Sequence, residues 1–159
     1  MPNFIGIDPG LSGGIAWKDS NWPARSYKMP ATDKDLHQMV SMSVPADKSV
    51  QCFAIVELVT GWMPGSRAVT SQMFKLGKNY GAILMALTSL NIPFEVVMAR
   101  VWQKALGIAR RKKGESDNKW KNRLKSKAQQ LYPKVNVTLA TADALLILEY
   151  CRRKHGRMT

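Results

Sequence analysis

The chain has 159 residues, 45% of them apolar, with 24 lysines and arginines against 11 acids, a formal net charge of +13 and a pI near 10.1. That length suits one domain able to bury roughly 70% of its unfolded surface, and no stretch is apolar for the ~20 residues that a membrane helix needs. The positive excess points to a polyanionic partner; no strongly amphipathic basic helix carries bulky apolar anchors, which sets a membrane surface aside.

Residues 3–8 (NFIGID) form a short apolar strand, and Pro9-Gly10 with Gly13-Gly14 bracket a turn into a second strand at 14–18 (GIAWK), making a hairpin. Residues 25–28 supply a third strand, and 32–43 a helix with Thr32 as N-cap and Asp35 in its first turn. Residues 50–58 (VQCFAIVEL) are almost continuously apolar, as a strand covered on both faces requires. After the loop TGWMPGS, residues 67–90 repeat apolar side chains at helical spacing (Val69, Met73, Leu76, Tyr80, Leu84, Leu87) until Asn91-Ile92-Pro93 stops the helix. Residues 94–98 (FEVVM) are the last strand. A short helix at 101–107 ends at Gly107, the basic stretch 110–118 reads as a mobile loop, 119–131 is a helix ending before Pro133, and 139–153 is a C-terminal helix. A hairpin start followed by β-α-β crossovers implies an α/β fold, with a mixed five-stranded sheet and helices on its faces.

Acids are scarce, and three stand in apolar surroundings: Asp8 ends FIGID, Glu57 ends FAIVEL and Asp143 interrupts TADALLIL. A carboxylate at such a position needs a partner or a metal. Three from separate segments suit hard divalent cations, which prefer oxygen ligands. Each also has a structural explanation: Asp8 as a turn cap, Glu57 in an arginine pair, Asp143 favoured by a helix dipole. Around them the positive charge is clustered. Nine basic and two acidic residues lie between Arg110 and Lys127, and Arg152, Arg153, Lys154 and Arg157 close the chain. An acidic centre for metal within a basic surface for phosphates points to a nuclease. Other chemistries lack their residues: there is no His-Glu-x-x-His, no Gly-x-Ser-x-Gly elbow and no Walker loop. Cys52 and Cys151 fit no zinc spacing and read as free thiols.

The ordered set of motifs resembles the RuvC family of Holliday-junction resolvases, especially its short phage-like members. It runs from Ile5-Gly6-Ile7-Asp8-Pro9-Gly10 and Glu57, through Lys75-Leu76-Gly77-Lys78-Asn79-Tyr80-Gly81 and Arg100-Val101-Trp102-Gln103-Lys104, to Ala142-Asp143-Ala144-Leu145-Leu146. The resemblance implies a single RNase H-like nuclease domain over 1–159 in a homodimer. It implies magnesium (manganese as substitute) on Asp8, Glu57 and Asp143, with Asp8 shared between ions, and paired nicks in a four-way DNA junction. One position departs: the family's further metal-binding residue, three or four before the last acid, falls on Ala140 or Leu139, so Ala140 marks a missing acid, and either the chain is a catalytically impaired variant or three carboxylates suffice. DNA contacts are expected from Arg67, Lys75, Lys78, Arg100, Lys104, Arg110, Arg111, Lys112, Lys113, Lys119 and Lys121, with Trp62 as a wedge into an opened junction. The start, MPNFIGID, has no signal-peptide features, so the expected setting is the cytoplasm of a bacterial or phage-infected cell. The alternatives are a non-catalytic branched-DNA-binding protein and a nuclease of the same fold acting on flaps, forks or RNA–DNA hybrids.

Overall fold

In a computed structural model of the chain, residues 2–19, 22–47, 49–60 and 70–156 are described. Five strands form one mixed sheet in the order β3-β2-β1-β4-β5: β1 Asn3–Asp8, β2 Gly14–Lys18, β3 Arg25–Lys28, β4 Cys52–Glu57 and β5 Phe94–Val97. The hairpin pairs β1 with β2, and β2 with β3, antiparallel; β1, β4 and β5 run parallel. The helices are α1 Asp33–Met42, α2 Thr70–Ser89, α3 Ala99–Ala105, α4 Asp117–Leu131 and α5 Ala142–His155.

Side chains alternate across a strand, and the apolar strands therefore feed two cores. Ile5, Ile7, Ile15, Trp17, Ala54 and Val56 pack with Leu36 and Val40 of α1 and Ile83 and Leu87 of α2. Phe4, Ala16 and Ile55 pack on the other face with Trp102 of α3, Leu124 of α4 and Leu145 and Leu148 of α5. Helices thus cover both faces, as the near-continuous apolar run of β4 requires. Gly6 lets α5 lie directly on β1. A Cβ there would stand 2.2 Å from the Leu148 backbone nitrogen and 2.4 Å from the Ala144 carbonyl oxygen.

Several boundaries differ from the sequence reading. Helix α3 begins at Ala99 rather than 101 because Met98 occupies its N-cap position without a capping side chain, leaving no signal to read. Ser116 caps α4, which moves its start from 119 to Asp117. Helix α5 begins at Ala142 rather than 139. Thr138 and Thr141 exchange backbone-to-hydroxyl hydrogen bonds at 3.0 and 3.2 Å, and that turn holds Leu139 and Ala140 outside the helix. The stretch 110–118, expected as a mobile loop, is a bonded turn. Glu115 accepts from Lys112 N–H at 3.0 Å and from Arg123 at 2.9 Å, while Arg111 donates to the Glu115 carbonyl at 2.7 Å. The Thr32 cap holds, its hydroxyl accepting from Asp35 N–H at 3.1 Å. Both cysteines are free thiols. Among the described residues no helix is long and apolar enough to cross a membrane.

Candidate functional site

The register explains why two of the acids meet. β1 and β4 are parallel and the pairing runs to Ile7↔Val56, so Asp8 and Glu57, one residue further on each, stand at the same end of adjacent strands ~4.8 Å apart. Both fall in alternation with the side chains facing α5: Asp8 with Phe4, Glu57 with Ile55. The close seating of α5 on Gly6 brings its first turn, and with it Asp143, over the same end.

These carboxylates line two adjoining clefts. Asp8, Asp143, Leu76, Leu139 and Lys121 border one; Asp8, Glu57, Leu76, Met98 and Arg100 border the other, so Asp8 is common to both. Burial, then the charges of Asp143 and Glu57, raise Asp8 well above the usual carboxylate range, with Lys121 opposing. Burial pushes Glu57 up to about 7, against a hydrogen bond from the Trp102 indole N–H at 2.8 Å and reinforced by Asp143. Burial pushes Asp143 up to about 6, with Lys121 opposing. Among the described residues no donor hydrogen-bonds the side chain of Asp8 or Asp143. Three buried like charges so poorly compensated are costly when ionised. An all-oxygen donor set of this kind fits a hard divalent cation. Among the described residues no three Asp, Glu, His or Cys side chains gather about a single point; the acids are instead spread along two clefts that share Asp8.

The structural explanations of the three acids come out differently. Asp8 caps no turn, and Glu57 takes an indole N–H rather than an arginine. Asp143 does sit in the first turn of a helix, where the dipole favours a negative charge. Ala140 is half-buried and is not part of the cleft wall; its carbonyl oxygen lies 2.8 Å from where a Cβ on Gly14 would stand. The neighbouring Leu139, 50% exposed, borders the Asp8–Asp143 cleft instead.

Of the basic residues singled out in the sequence, Lys121 and Arg100 border the clefts. Lys104 and Arg110 lie along a groove beyond Arg100. Lys75 and Lys78 are exposed on α2, Lys78 lying 3.4 Å from Asp33. Arg111 is turned to Asp117 at 2.6 Å, while Lys112, Lys113 and Lys119 are exposed near the start of α4. Trp62 and Arg67 lie outside the described residues. Three functional contributors carried no sequence signal of their role. Trp102 holds Glu57, Leu76 lines both clefts, and buried Asn79 fixes the loop after Asp8 by accepting the Gly10 N–H at 2.8 Å. That loop needs Gly10, whose φ is +102°.

No family model and no curated protein matches the chain. Solved structures do. Thermus thermophilus RuvC in complex with a Holliday-junction substrate superposes with a TM-score of 0.62 at 16% identity, covering 99% of this chain and 96% of that one. A second Thermus thermophilus RuvC structure gives 0.60 at 19% identity over 98% and 96%. This chain has a RuvC-like, RNase H-like fold.

Proposed function

We propose that this chain is a structure-selective, metal-dependent DNA endonuclease that resolves four-way junctions. In this reading it is a single nuclease domain acting as a homodimer, whose two-fold symmetry matches two equivalent strands to be cut. The observation that carries the reading is that Asp8, Glu57 and Asp143 stand at one end of the sheet, each raised by burial and without a paired cation among the described residues, in a protein of net charge +13. The likeness of fold to a RuvC solved with a Holliday junction supports branched DNA as the substrate class.

Asp8 with Asp143, and Asp8 with Glu57, would hold magnesium or manganese ions, which supply charge to the attacking water and the leaving oxygen of a phosphodiester. The chain's own groups do the positioning. The Trp102 N–H fixes one oxygen of Glu57, a residue that borders the cleft. Asn79 holds the Pro9–Gly10 backbone and with it the direction of Asp8. Lys121 and Arg100, one on each cleft, are placed to take phosphate oxygens flanking the scissile bond.

One observation favours a second reading, a branched-DNA-binding protein without cleavage: Leu139 lines the cleft beside Asp143 where an acid would add a ligand. A labelled four-way junction and an equal-length duplex, incubated in magnesium with the native chain, Ala140→Asp and Leu139→Asp, decide between them. Selective junction cutting by the native chain is the expected result. Junction binding with cutting by an Asp variant alone identifies an impaired nuclease, and binding without cutting by any identifies the non-catalytic protein. Preferred cutting of flaps, forks or RNA–DNA hybrids would reassign the substrate.

A further inference from the structure

Helix α3 has two working faces. One is buried and delivers the Trp102 N–H to Glu57. The other opens onto a groove of about 970 Å³ between α3 and the segment that follows it. Its floor is apolar, made by Val101, Ala105 and Ile108, with Val101 43% exposed. Its rim is cationic, made by Arg100, Lys104 and Arg110, and none of the side chains lining it is acidic. Arg100 also borders the Asp8–Glu57 cleft, so the groove runs on from the candidate site.

An apolar floor beneath a row of cations suits a ligand with flat apolar faces on an anionic backbone. A paired duplex offers phosphates there but hides its base faces. We infer that this groove receives an unpaired nucleotide of the DNA strand entering the site, its base lying on Val101, Ala105 and Ile108 and its phosphates on Arg100, Lys104 and Arg110. The inference rests on the nuclease reading for its substrate and adds a site that favours strands opened next to the cleavage point. Stacking of this kind tolerates any base, since every base has an apolar face.

The test is binding in EDTA, where cleavage plays no part, of a fluorescent oligothymidylate and an abasic oligonucleotide of equal length and charge. The native chain should bind the base-bearing strand measurably more tightly, since the base buries apolar surface that the abasic strand lacks. Ala105→Leu, at an exposed helix-end position, should fill the floor and remove that preference while leaving abasic binding and the melting temperature unchanged. Equal binding of the two strands by the native chain overturns the inference. So does a preference that survives Ala105→Leu, because the bases then stack elsewhere. Self-association that Ala105→Leu abolishes, without any base preference, assigns the groove to a second copy of the chain and also overturns it. Junction cutting in magnesium is scored separately: cutting without base preference sinks the groove alone, and base preference without cutting sinks the nuclease alone.

Discussion

Helix α5 carries two shielded carboxylates, Asp143 in its first turn and Glu149 at mid-helix, and their surroundings are opposite. Glu149, 4% exposed, accepts hydrogen bonds from Tyr132 at 3.1 Å, from Arg152 at 3.0 and 2.8 Å and from Arg153 at 2.7 Å. Burial works to raise it, but the Arg152 and Arg153 bonds outweigh burial and hold it below the ordinary range. Asp143 lies in the first turn with Asp8 and Glu57 as neighbours, Lys121 opposing, and is pushed up to about 6 by burial. Burial alone therefore does not mark a site. A buried acid given enough donors is structure; a group of buried acids left short of donors is where we propose a cation.

The first way to break the comparison is to neutralise one acid of each kind, Asp8 from the group around Asp143 and then Glu149. Asp8→Asn should lower junction cleavage by more than ~100-fold, beyond the usual cost of losing a metal site's outer partner, while the metal-free protein melts no lower than the native one. Glu149→Gln should do the reverse. Cleavage per folded molecule should hold, and chemical denaturation should show a loss of about 1–3 kcal/mol as charge-assisted bonds disappear. Gly6→Ala tests the seating of α5 on β1 that brings Asp143 over Asp8 and Glu57. Its Cβ would meet backbone rather than a flexible side chain, so overpacking should cost ~3 kcal/mol or more. Gly77→Ala, with nothing within 4 Å of its added Cβ, should be neutral or gain up to ~1 kcal/mol of helix stability.

The two kinds of acid should also differ in their response to pH. Asp8, Glu57 and Asp143 have folded-state values above their unfolded ones. For Glu57 and Asp143 the contribution to stability is therefore fully present below about pH 4 and is lost as pH rises through about 6 to 7, and Asp8 has the same sign. Thermal melts of the metal-free chain should show this loss between pH 5 and 8, and Asp8→Asn should flatten it. Glu149 has the opposite sign: its contribution is present above its unfolded value and is lost on acidification. Trp102→Phe sharpens the comparison at Glu57. Removing the N–H from Glu57 should weaken manganese binding about tenfold by calorimetry, with an indole-sized loss of packing besides.

Much of this was legible in the residues. The five strands followed from apolar alternation and turn chemistry, and Asp8, Glu57 and Asp143 stood out because each broke an apolar run. Glu149 breaks the same C-terminal run as Asp143, yet its arginines three and four residues on are spaced to satisfy it along one helix face. What the sequence did not show depends on contacts between distant elements. Trp102 reaching Glu57 across 45 residues and Asn79 reaching Gly10 across 69 have no local signature. The start of α5 was misread for a local reason: the paired hydroxyls of Thr138 and Thr141 offer the backbone a turn in place of a helical ladder. That turn sets Leu139, rather than Ala140, against the cleft.

The central claim is that the three unneutralised carboxylates hold divalent cations. It is tested most directly by melting the metal-free chain at pH 8 across a manganese titration, alongside Asp8→Asn. A saturable rise in melting temperature for the native chain, absent from the Asp8→Asn variant, is the predicted result. An equal rise in both proteins, or none in either, would contradict the claim.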